Sequence, residues 1–369
     1  MISTKFNNGA VLIDRYVIIE YIAAGGMQEV YYCHDKVLDR FVVLKTPKQG
    51  ISDRRFRRGA EMGAKIHHSN VASTLDYYED DHLTFMIEEF IDGMDLGKKL
   101  EQHFYYLDPH LASHVIKNLT KSLVEAHSNG ICHRDLKPSN IMVSNDFNLS
   151  KVKLTDFGIS KLAENEIAKE IELFEKDNNT LTTSQTLLGA VPYMAPECWD
   201  DWKNAGKPMD IWALGCIAYH LVSGTPPFGT GRRAIRDVAR YQDGAFTLTK
   251  PATFGKHKSV EALEDEIWNL IKECLRADPK ARPTADNILT SFNEICYSND
   301  TRSNGVILSY GVPFESTGFI RDVKTNEEWF YHSSEVYGKS SFDIGEEVCF
   351  NTFPGHPRGR CATILILKS

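Results

Sequence analysis

The spacing of the apolar residues changes near residue 108, and this change limits which folds the chain can adopt. Before it, short runs rich in β-branched and aromatic residues are typical of strands. These runs cover 16–22, 29–33, 41–45 and 83–91. A single helix is predicted among them, at 53–66. After it, apolar residues recur at helical spacing over 109–130, 209–224 and 262–277. The sequence therefore predicts an α+β fold, with a strand-rich small lobe before a helical large lobe.

A third region follows a segment rich in Ser, Asn and Asp, which predicts a linker. Five strand-like runs then alternate with turn residues, at 305–310, 318–323, 328–332, 346–350 and 361–367. Short strands at such spacing are typical of a small barrel. The predicted organisation is a two-lobed domain at 1–297 (lobes 14–92 and 93–297), a linker at 298–304 and an all-β barrel at 305–369.

The composition says more about where the protein is located in the cell than about its reaction. The formal net charge is −8 over 369 residues, so no general affinity for nucleic acid is indicated. None of the eight cysteines forms a C-x-x-C pair that would signal a zinc or redox site. The N-terminus lacks the apolar run of a signal peptide, and the stretch 211–222 is too short to span a bilayer. These features predict a cytoplasmic protein without a membrane anchor.

The segment 131-ICHRDLKPSNIMV-143 concentrates chemically active side chains in what reads as a loop. Phosphoryl transfer needs an acid to accept the hydroxyl proton, cations near the moving phosphoryl group and oxygen ligands for magnesium. Asp135, Lys137 and Asn140 supply all three. A second carboxylate, Asp156 in 156-DFG-158, suits a metal ligand, and Lys45 at the end of a strand suits the phosphates of a nucleotide.

Taken in order, the motifs resemble the protein kinase family across residues 14–297. They are the glycine-containing turn 22-IAAGGMQEVYY-32, the strand lysine Lys45, the loop 133-HRDLKPSN-140, 156-DFG-158, 195-APE-197, 210-DIWALG-215 and 280-KARPTA-285. The opening 15–45 looks most like bacterial serine/threonine kinases of the eukaryotic type. The sequence D-L-K-P-S-N is similar to that of Ser/Thr-specific members.

The resemblance implies a role for each matching residue. Asp135 is implied as the catalytic base and Lys137 as the cation that stabilises the γ-phosphate. Asn140 and Asp156 are implied as ligands of Mg²⁺. The residues implied in ATP binding are Lys45, Gly25, Gly26, Val30 and Glu88. The residues implied as scaffold are Glu197 and Arg282, as an ion pair, and Asp210, as a brace of the catalytic loop.

The sequence departs from the kinase pattern in the glycine turn and at two other places. The motif G-x-G-x-x-G falls on Ala23, Gly25 and Gln28, so only its middle glycine is kept. A stiffer turn with weaker ATP binding is expected, because Gln28 lacks the freedom of glycine. Ala190 stands where kinases usually have a threonine that contacts the catalytic aspartate, and Val43 narrows the adenine pocket.

The acidic partner of the strand lysine is open from the sequence. Kinases pair this lysine with a helix glutamate, and the corresponding position here is Gly59. Glu61 lies two residues further, which is about 200° round a helix. Glu88, at the position that lines the nucleotide pocket beside the lysine, is the other candidate. The sequence alone does not decide between Glu61 and Glu88.

Regulation is predicted in the segment between Asp156 and Glu197. An arginine before the catalytic aspartate, here Arg134, commonly receives a phosphate from this segment in kinases. The candidate acceptors are Thr180, Thr182, Thr183, Ser184 and Thr186. A phosphate on one of them would pair with Arg134 and order the segment. The alternative is a flexible polar loop without that role.

Five pieces of the last region match one known family: 305-GVILSY-310, 318-GFI-320, 329-WFYHSS-334, 345-GEEVCF-350 and 358-RGRCATILI-366. With them the region resembles a cold-shock domain, an OB-type barrel. In that family aromatic side chains stack on single-stranded bases, and the matching residues here are Tyr310, Phe319, Phe330 and His332. Two expected aromatics are absent, since Ser309 and Thr317 stand in their places. The alternative use of this face is contact with protein.

The favoured interpretation is a Ser/Thr protein kinase that uses Mg²⁺ and ATP, acts on protein substrates and phosphorylates itself. Its tail would bind single-stranded RNA or DNA and gate the kinase. Two alternatives remain: a pseudokinase-like scaffold that binds ATP without catalysis, and a nucleic-acid-binding protein regulated by its kinase domain.

Overall fold

The computed structural model describes residues 4–24, 28–48, 53–157, 189–201, 205–339, 341–355 and 359–368. Within these ranges the chain forms a small sheet-rich lobe, a helical lobe and a closed C-terminal sheet. The α+β arrangement predicted from the sequence is confirmed.

The small lobe is one antiparallel sheet of six strands with a single helix. Its strands are β1 (Val11–Leu12), β2 (Tyr16–Ala24), β3 (Gln28–Asp35), β4 (Arg40–Pro47), β5 (Thr74–Glu79) and β6 (Thr84–Glu89), in the order β1-β2-β3-β4-β6-β5. Helix α1 (Asp53–Gly63) packs Phe56 and Ala60 against Met86 of β6. The sequence missed β5, because every residue in it but the last is half-buried and no alternation marks it.

The large lobe is built around the long central helix α3. Its helices are α2 (Leu96–His103), α3 (Pro109–Ser128), α4 (Glu197–Asp201), α5 (Lys207–Ser223), α6 (Gly231–Gln242), α7 (Glu261–Cys274) and α8 (Ala285–Ser291). A small sheet of β7 (Gly93–Asp95), β8 (Ile141–Ser144) and β9 (Val152–Leu154) flanks the candidate site. Asp108 begins α3 by accepting hydrogen bonds from the backbone N–H groups of His110 and Leu111. Within the described ranges, no helix combines the length and the apolar character that a membrane crossing requires.

The C-terminal strands close into a barrel. They are β10 (Ser303–Tyr310), β11 (Thr317–Asp322), β12 (Glu328–His332), β13 (Val336–Tyr337), β14 (Glu347–Phe353) and β15 (Arg360–Ile366). The sheet runs β12-β11-β10-β14-β15, and a parallel pairing of β12 with β15 joins its ends. The predicted linker at 298–304 overlaps this barrel, since its last two residues belong to β10.

The barrel packs against the large lobe through one continuous apolar core. Four of its buried side chains belong to the core of that lobe: Tyr337, Cys349, Leu365 and Leu367. A buried ion pair lies at the junction, where Arg302 Nη2 contacts Asp108 Oδ2 at 2.7 Å. Both side chains are almost fully buried, at 1% and 0% exposed. The two parts of the chain therefore form one packed body rather than two that a flexible segment joins.

We expect Arg302→Ala to lower the free energy of unfolding by about 3–5 kcal/mol, because it leaves the buried Asp108 carboxylate without its cation. Arg321→Ala is the matched control, since Arg321 pairs with Glu328 on the surface, with both side chains 47% exposed. That change should cost less than about 1 kcal/mol. Denaturant unfolding, followed by tryptophan fluorescence and circular dichroism, measures both. Equal losses in the two variants would contradict the account of the junction.

Candidate active site

The loop that carries Asp135 is held by a buried carboxylate, that of Asp210. Asp210 lies near the start of α5 and accepts hydrogen bonds from the backbone N–H groups of His133 and Arg134, both at 2.8 Å. His127 Nε2 lies 2.9 Å from the same carboxylate. Burial raises the pKa of Asp210, but these hydrogen bonds and the nearby histidines outweigh it and lower the pKa overall. The brace therefore remains ionised at neutral pH.

Asp210 also stabilises an unusual backbone conformation. Arg134 has a φ of 70°, which non-glycine residues rarely adopt. Such strain persists only where the surroundings hold it, and the hydrogen bond from the Arg134 N–H to Asp210 does so here. The following residue, Asp135, lines the same small cavity as Arg134.

Asp135, Lys137 and Asn140 form one hydrogen-bonded cluster. Lys137 Nζ lies 2.8 Å from Asp135 Oδ2. Asn140 Nδ2 donates to the same oxygen at 3.0 Å and to the Asp135 carbonyl at 2.8 Å. The Lys137 side chain is 9% exposed and that of Asp135 is 28% exposed, so the carboxylate remains reachable from solvent. A general base must come within hydrogen-bond distance of the proton that it accepts, and a carboxylate open to solvent can do so.

The side chain of Lys45, on β4, lies between the carboxylates of Glu88 and Asp156. Its Nζ is 2.6 Å from Glu88 Oε2 and 2.8 Å from Asp156 Oδ1. Burial lowers the pKa of Lys45, but the two carboxylates outweigh it and raise the pKa above the usual value. Burial also raises the pKa of Glu88, whereas Lys45 and Gln28 bring the pKa of Asp156 below its usual range. Asp156 therefore loses its proton more readily than Glu88 does.

Asp156 is tied to the catalytic loop through its neighbour Thr155. The backbone N–H and the hydroxyl of Thr155 donate to the Asn140 carbonyl at 3.0 and 3.1 Å. His133 Nε2 lies 2.8 Å from the Thr155 carbonyl, and the His133 ring packs edge-on against Phe157. Asp156 itself has a φ of 63°. These contacts fix Asp156 and Asn140 next to each other in space although sixteen positions separate them in sequence.

Three of the four predicted aromatic residues of the C-terminal barrel lie on one outer face. Phe319 pairs with Phe330 across β11 and β12, and their rings meet edge-to-face at 5.9 Å. His332 lies two residues beyond Phe330 and is exposed, whereas Tyr331 between them is fully buried. The alternation expected for this strand is thus present.

Tyr310 does not join that face. It pairs with Gly318, which in turn pairs with Tyr331, so Tyr310 belongs to the inward-facing set and contacts Phe342. A register shift between Ile307 and Ser309 changes the alternation of β10 at this point. The register therefore places Ser309 opposite Phe319, and Tyr310 points to the other side of the sheet.

The register extends the outer face by two residues that the sequence did not single out. Phe330 pairs with Arg360 of β15, and Arg360 pairs with Phe353 of β14. Phe319, Phe330, Arg360 and Phe353 therefore form one row across four strands, called the aromatic row below. Phe353 is 43% exposed, so its ring is accessible at one end of this row. Only closure of the barrel brings β12 beside β15, so no local pattern indicates this row.

Comparison with known proteins identifies the family. The family model of the protein kinase domain matches residues 16–292. The chain belongs to the protein kinase family. Kinases of this family use ATP together with Mg²⁺, and the two curated relatives described next carry the names of serine/threonine kinases.

Two relatives from bacteria and one solved structure illustrate the likeness. The chain is 32% identical over 276 residues to the serine/threonine-protein kinase PrkC of Bacillus subtilis, covering 73% of this chain and 39% of that protein. It is 34% identical over 226 residues to the probable serine/threonine-protein kinase PknB of Lactococcus lactis, covering 60% and 33%. A crystal structure of Rad53 1–466 in complex with AMP-PNP shares the fold, with a TM-score of 0.54 at 23% identity, covering 74% of this chain and 64% of that one. The chain thus spans only a third to two fifths of the length of these two curated relatives.

In this kinase the lysine partner left open by the sequence is Glu88. Glu61 does not approach Lys45, since its side chain is 63% exposed and lies 3.9 Å from Arg57 on the same helix. Val43 pairs with Glu88 across β4 and β6, so Lys45 is the diagonal neighbour of Glu88 on the same face of the sheet. A strand glutamate therefore takes the place of the usual helix glutamate.

The donor set at Asn140 and Asp156 fits Mg²⁺. Mg²⁺ prefers oxygen ligands and is usually held by one or two carboxylates together with substrate phosphates. Asp156 supplies a carboxylate whose pKa is lowered. Asn140 directs its amide nitrogen to Asp135, so its amide oxygen is the end left for a metal.

The remaining kinase positions are placed as follows. Val30 pairs with Lys45 across β3 and β4. Arg282 forms a two-pronged ion pair with Glu197 at 2.6 and 2.9 Å. Ala190 lines a cavity of about 20 Å³ together with Arg134 and Asp135, which is room for one water where other kinases have a threonine. Outside the described residues lie Gly25, Gly26, Thr180, Thr182, Thr183, Ser184 and Thr186.

We expect Glu88→Gln to raise the KM for ATP about tenfold, because the loss of a charged hydrogen bond lets Lys45 move fully onto Asp156 and away from the phosphates. Glu61→Gln makes the same chemical change on an exposed helix face and should leave the KM unchanged. Steady-state kinetics at varied ATP concentration checks both variants. An effect of Glu61→Gln without an effect of Glu88→Gln would contradict the assignment.

Proposed function

We propose that the chain is an active serine/threonine protein kinase that transfers the γ-phosphate of Mg-ATP to protein hydroxyls, including its own. The observation that carries this proposal is the intact cluster of Asp135, Lys137 and Asn140, with contacts of 2.8–3.0 Å. A chain that had lost catalysis would have no need to keep these three groups in contact.

In the proposed reaction each of these groups has one part. Asp135 accepts the proton of the substrate hydroxyl as the O–H bond breaks and the new O–P bond forms. Lys137 lies beside that carboxylate and stabilises the charge on the moving phosphoryl group. Asn140 fixes the Asp135 carboxylate through its amide nitrogen. ADP leaves with the electron pair of the broken P–O bond.

A non-catalytic scaffold that binds ATP is the competing function. Its support is the glutamine in the glycine turn and Ala190 in place of a threonine. Neither residue carries a charge that the transfer requires. The four groups that do carry the chemistry or hold the metal are present, namely Asp135, Lys137, Asn140 and Asp156.

We expect Asp135→Asn to lower the transfer of labelled γ-phosphate to the protein by about a hundredfold or more, because the proton acceptor is lost. Lys45→Ala should lower it as well, because the phosphates lose their cation. Asp81→Asn, on an exposed turn of the small lobe, is the matched control and should keep full activity. Label incorporated equally by Asp135→Asn and the unaltered chain would refute the assignment, and no label in any variant despite bound ATP would favour the scaffold.

Mass spectrometry of the labelled protein tests the regulatory part of the proposal. Phosphate on Thr180, Thr182, Thr183, Ser184 or Thr186 would support activation through Arg134. Phosphate found only elsewhere would count against it.

The aromatic row favours a second function for the C-terminal barrel, the binding of single-stranded RNA or DNA. Three exposed or half-exposed rings with an arginine among them suit bases that stack in sequence along a strand. The closed sheet, with a parallel pairing of its third and last long strands, supports the proposal of an OB-type barrel. Net charge gives little help, since the region from Asp300 onward holds seven Lys or Arg against nine Asp or Glu.

We expect Phe330→Ala to weaken the binding of a fluorescent single-stranded oligonucleotide by about 5- to 150-fold, because one stacked base loses its platform. Tyr310→Ala is the matched control, since this exposed aromatic lies on the other side of the sheet. Fluorescence anisotropy measures both affinities. Equal losses, or no binding by the unaltered chain, would leave protein contact as the use of this face.

The packing of the barrel on the large lobe supports a link between the two functions. Tyr337 of the barrel stacks on His257 of the large lobe with ring centroids 4.0 Å apart. An oligonucleotide that changes the rate of phosphate transfer would support gating of the kinase by the tail. A nucleic-acid-binding protein regulated by its kinase domain would instead show binding that changes with phosphorylation.

A further inference from the structure

The side chain of Gln28 contacts the carboxylate that is proposed to hold the metal. Gln28 begins β3 at the place where the glycine turn of kinases has its third glycine. Its Nε2 donates to Asp156 Oδ1 at 2.9 Å, and Lys45 Nζ donates to the same oxygen at 2.8 Å. Gln28 is 8% exposed, so its contact with Asp156 is largely shielded from solvent. A glycine at this position has no side chain and makes no such contact.

These contacts occupy Oδ1, one of the two oxygens that the Asp156 carboxylate offers to a metal ion. A carboxylate oxygen has two lone pairs, and two N–H donors already point at Asp156 Oδ1. The other oxygen lies 3.2 Å from the Thr155 hydroxyl. A cation can bind only where no N–H donor is directed at the same lone pair. The amide of Gln28 and Mg²⁺ therefore compete for Asp156 Oδ1.

The side chain of Gln28 can change its conformation. Its Oε1 is buried and has no hydrogen-bond partner among the described residues. A buried acceptor without a partner costs free energy, which opposes the gain from the hydrogen bond to Asp156. The backbone of Gln28 is held separately, by its pairing with Pro47 on β4. The side chain can therefore rotate away without unfolding the strand.

We propose that Gln28 is a positioning residue that masks Asp156 Oδ1, and that its amide is displaced when the magnesium nucleotide binds. This inference rests on the proposed role of Asp156 as metal ligand. It makes Gln28 a determinant of the affinity for the magnesium nucleotide but not of the affinity for the free nucleotide.

The test compares the binding of AMP-PNP with excess MgCl₂ and with EDTA, by isothermal titration calorimetry on the full chain. Gln28→Met keeps the size of the side chain and removes both polar atoms, and Gln28→Gly restores the residue of the family motif. Both should tighten binding with MgCl₂ about tenfold, as expected for the loss of one competing hydrogen bond to a charged group. Neither should change binding in EDTA. Gln102→Met, on an exposed position of α2, is the matched control and should change neither value.

The outcomes separate this inference from the proposed function. Unchanged or weaker binding with MgCl₂ in both Gln28 variants would overturn the inference, and so would an equal gain in EDTA. Asp156→Asn should abolish the difference between MgCl₂ and EDTA. If that difference survives in Asp156→Asn, the proposed metal site fails, whatever the Gln28 variants show.

Discussion

The ion cluster of Lys45 with Glu88 and Asp156 is the interaction on which the arrangement of the active site depends. Lys45 and Glu88, 2.6 Å apart, belong to the small-lobe sheet, and the 2.8 Å contact of Lys45 with Asp156 joins that sheet to the large lobe. A buried ammonium is tolerated only with carboxylate partners, and one ammonium cannot neutralise two carboxylates. Asp156, whose pKa is lowered, keeps a negative charge that favours the arrival of a divalent cation. In the proposed reaction such a cation would also help to neutralise the phosphates of the nucleotide beside Lys45.

Residues that lie close in sequence were predictable, and residues brought together by strand register were not. Asp135, Lys137 and Asn140 fall within six positions, in a motif that resembles the kinase family and so implies phosphoryl transfer. The choice between Glu61 and Glu88 depends on which residue of β6 lies beside Lys45, and that is decided by pairing over forty positions. The contact of Gln28 with Asp156 spans 128 positions, so the sequence marked Gln28 only as a missing glycine.

In the C-terminal barrel, too, contacts that depend on strand register could not be predicted from the sequence. The spacing of its apolar residues predicted the five long strands and the exposure of His332. A register shift in β10 turned Tyr310 to the inner side, because one extra residue reverses the alternation. Phe353 and Arg360 join Phe330 only after the barrel closes. The ion pair of Arg302 with Asp108 links positions 194 apart and makes the predicted linker part of a packed junction.

A crystal structure of the full chain with Mg²⁺ and AMP-PNP tests the central account most directly. The account predicts a metal ion bound by Asp156 and Asn140, Lys45 in contact with the phosphates and with Glu88, and the amide of Gln28 away from Asp156. A nucleotide complex in which Lys45 pairs with Glu61, or in which the metal lies on neither Asp156 nor Asn140, would contradict it.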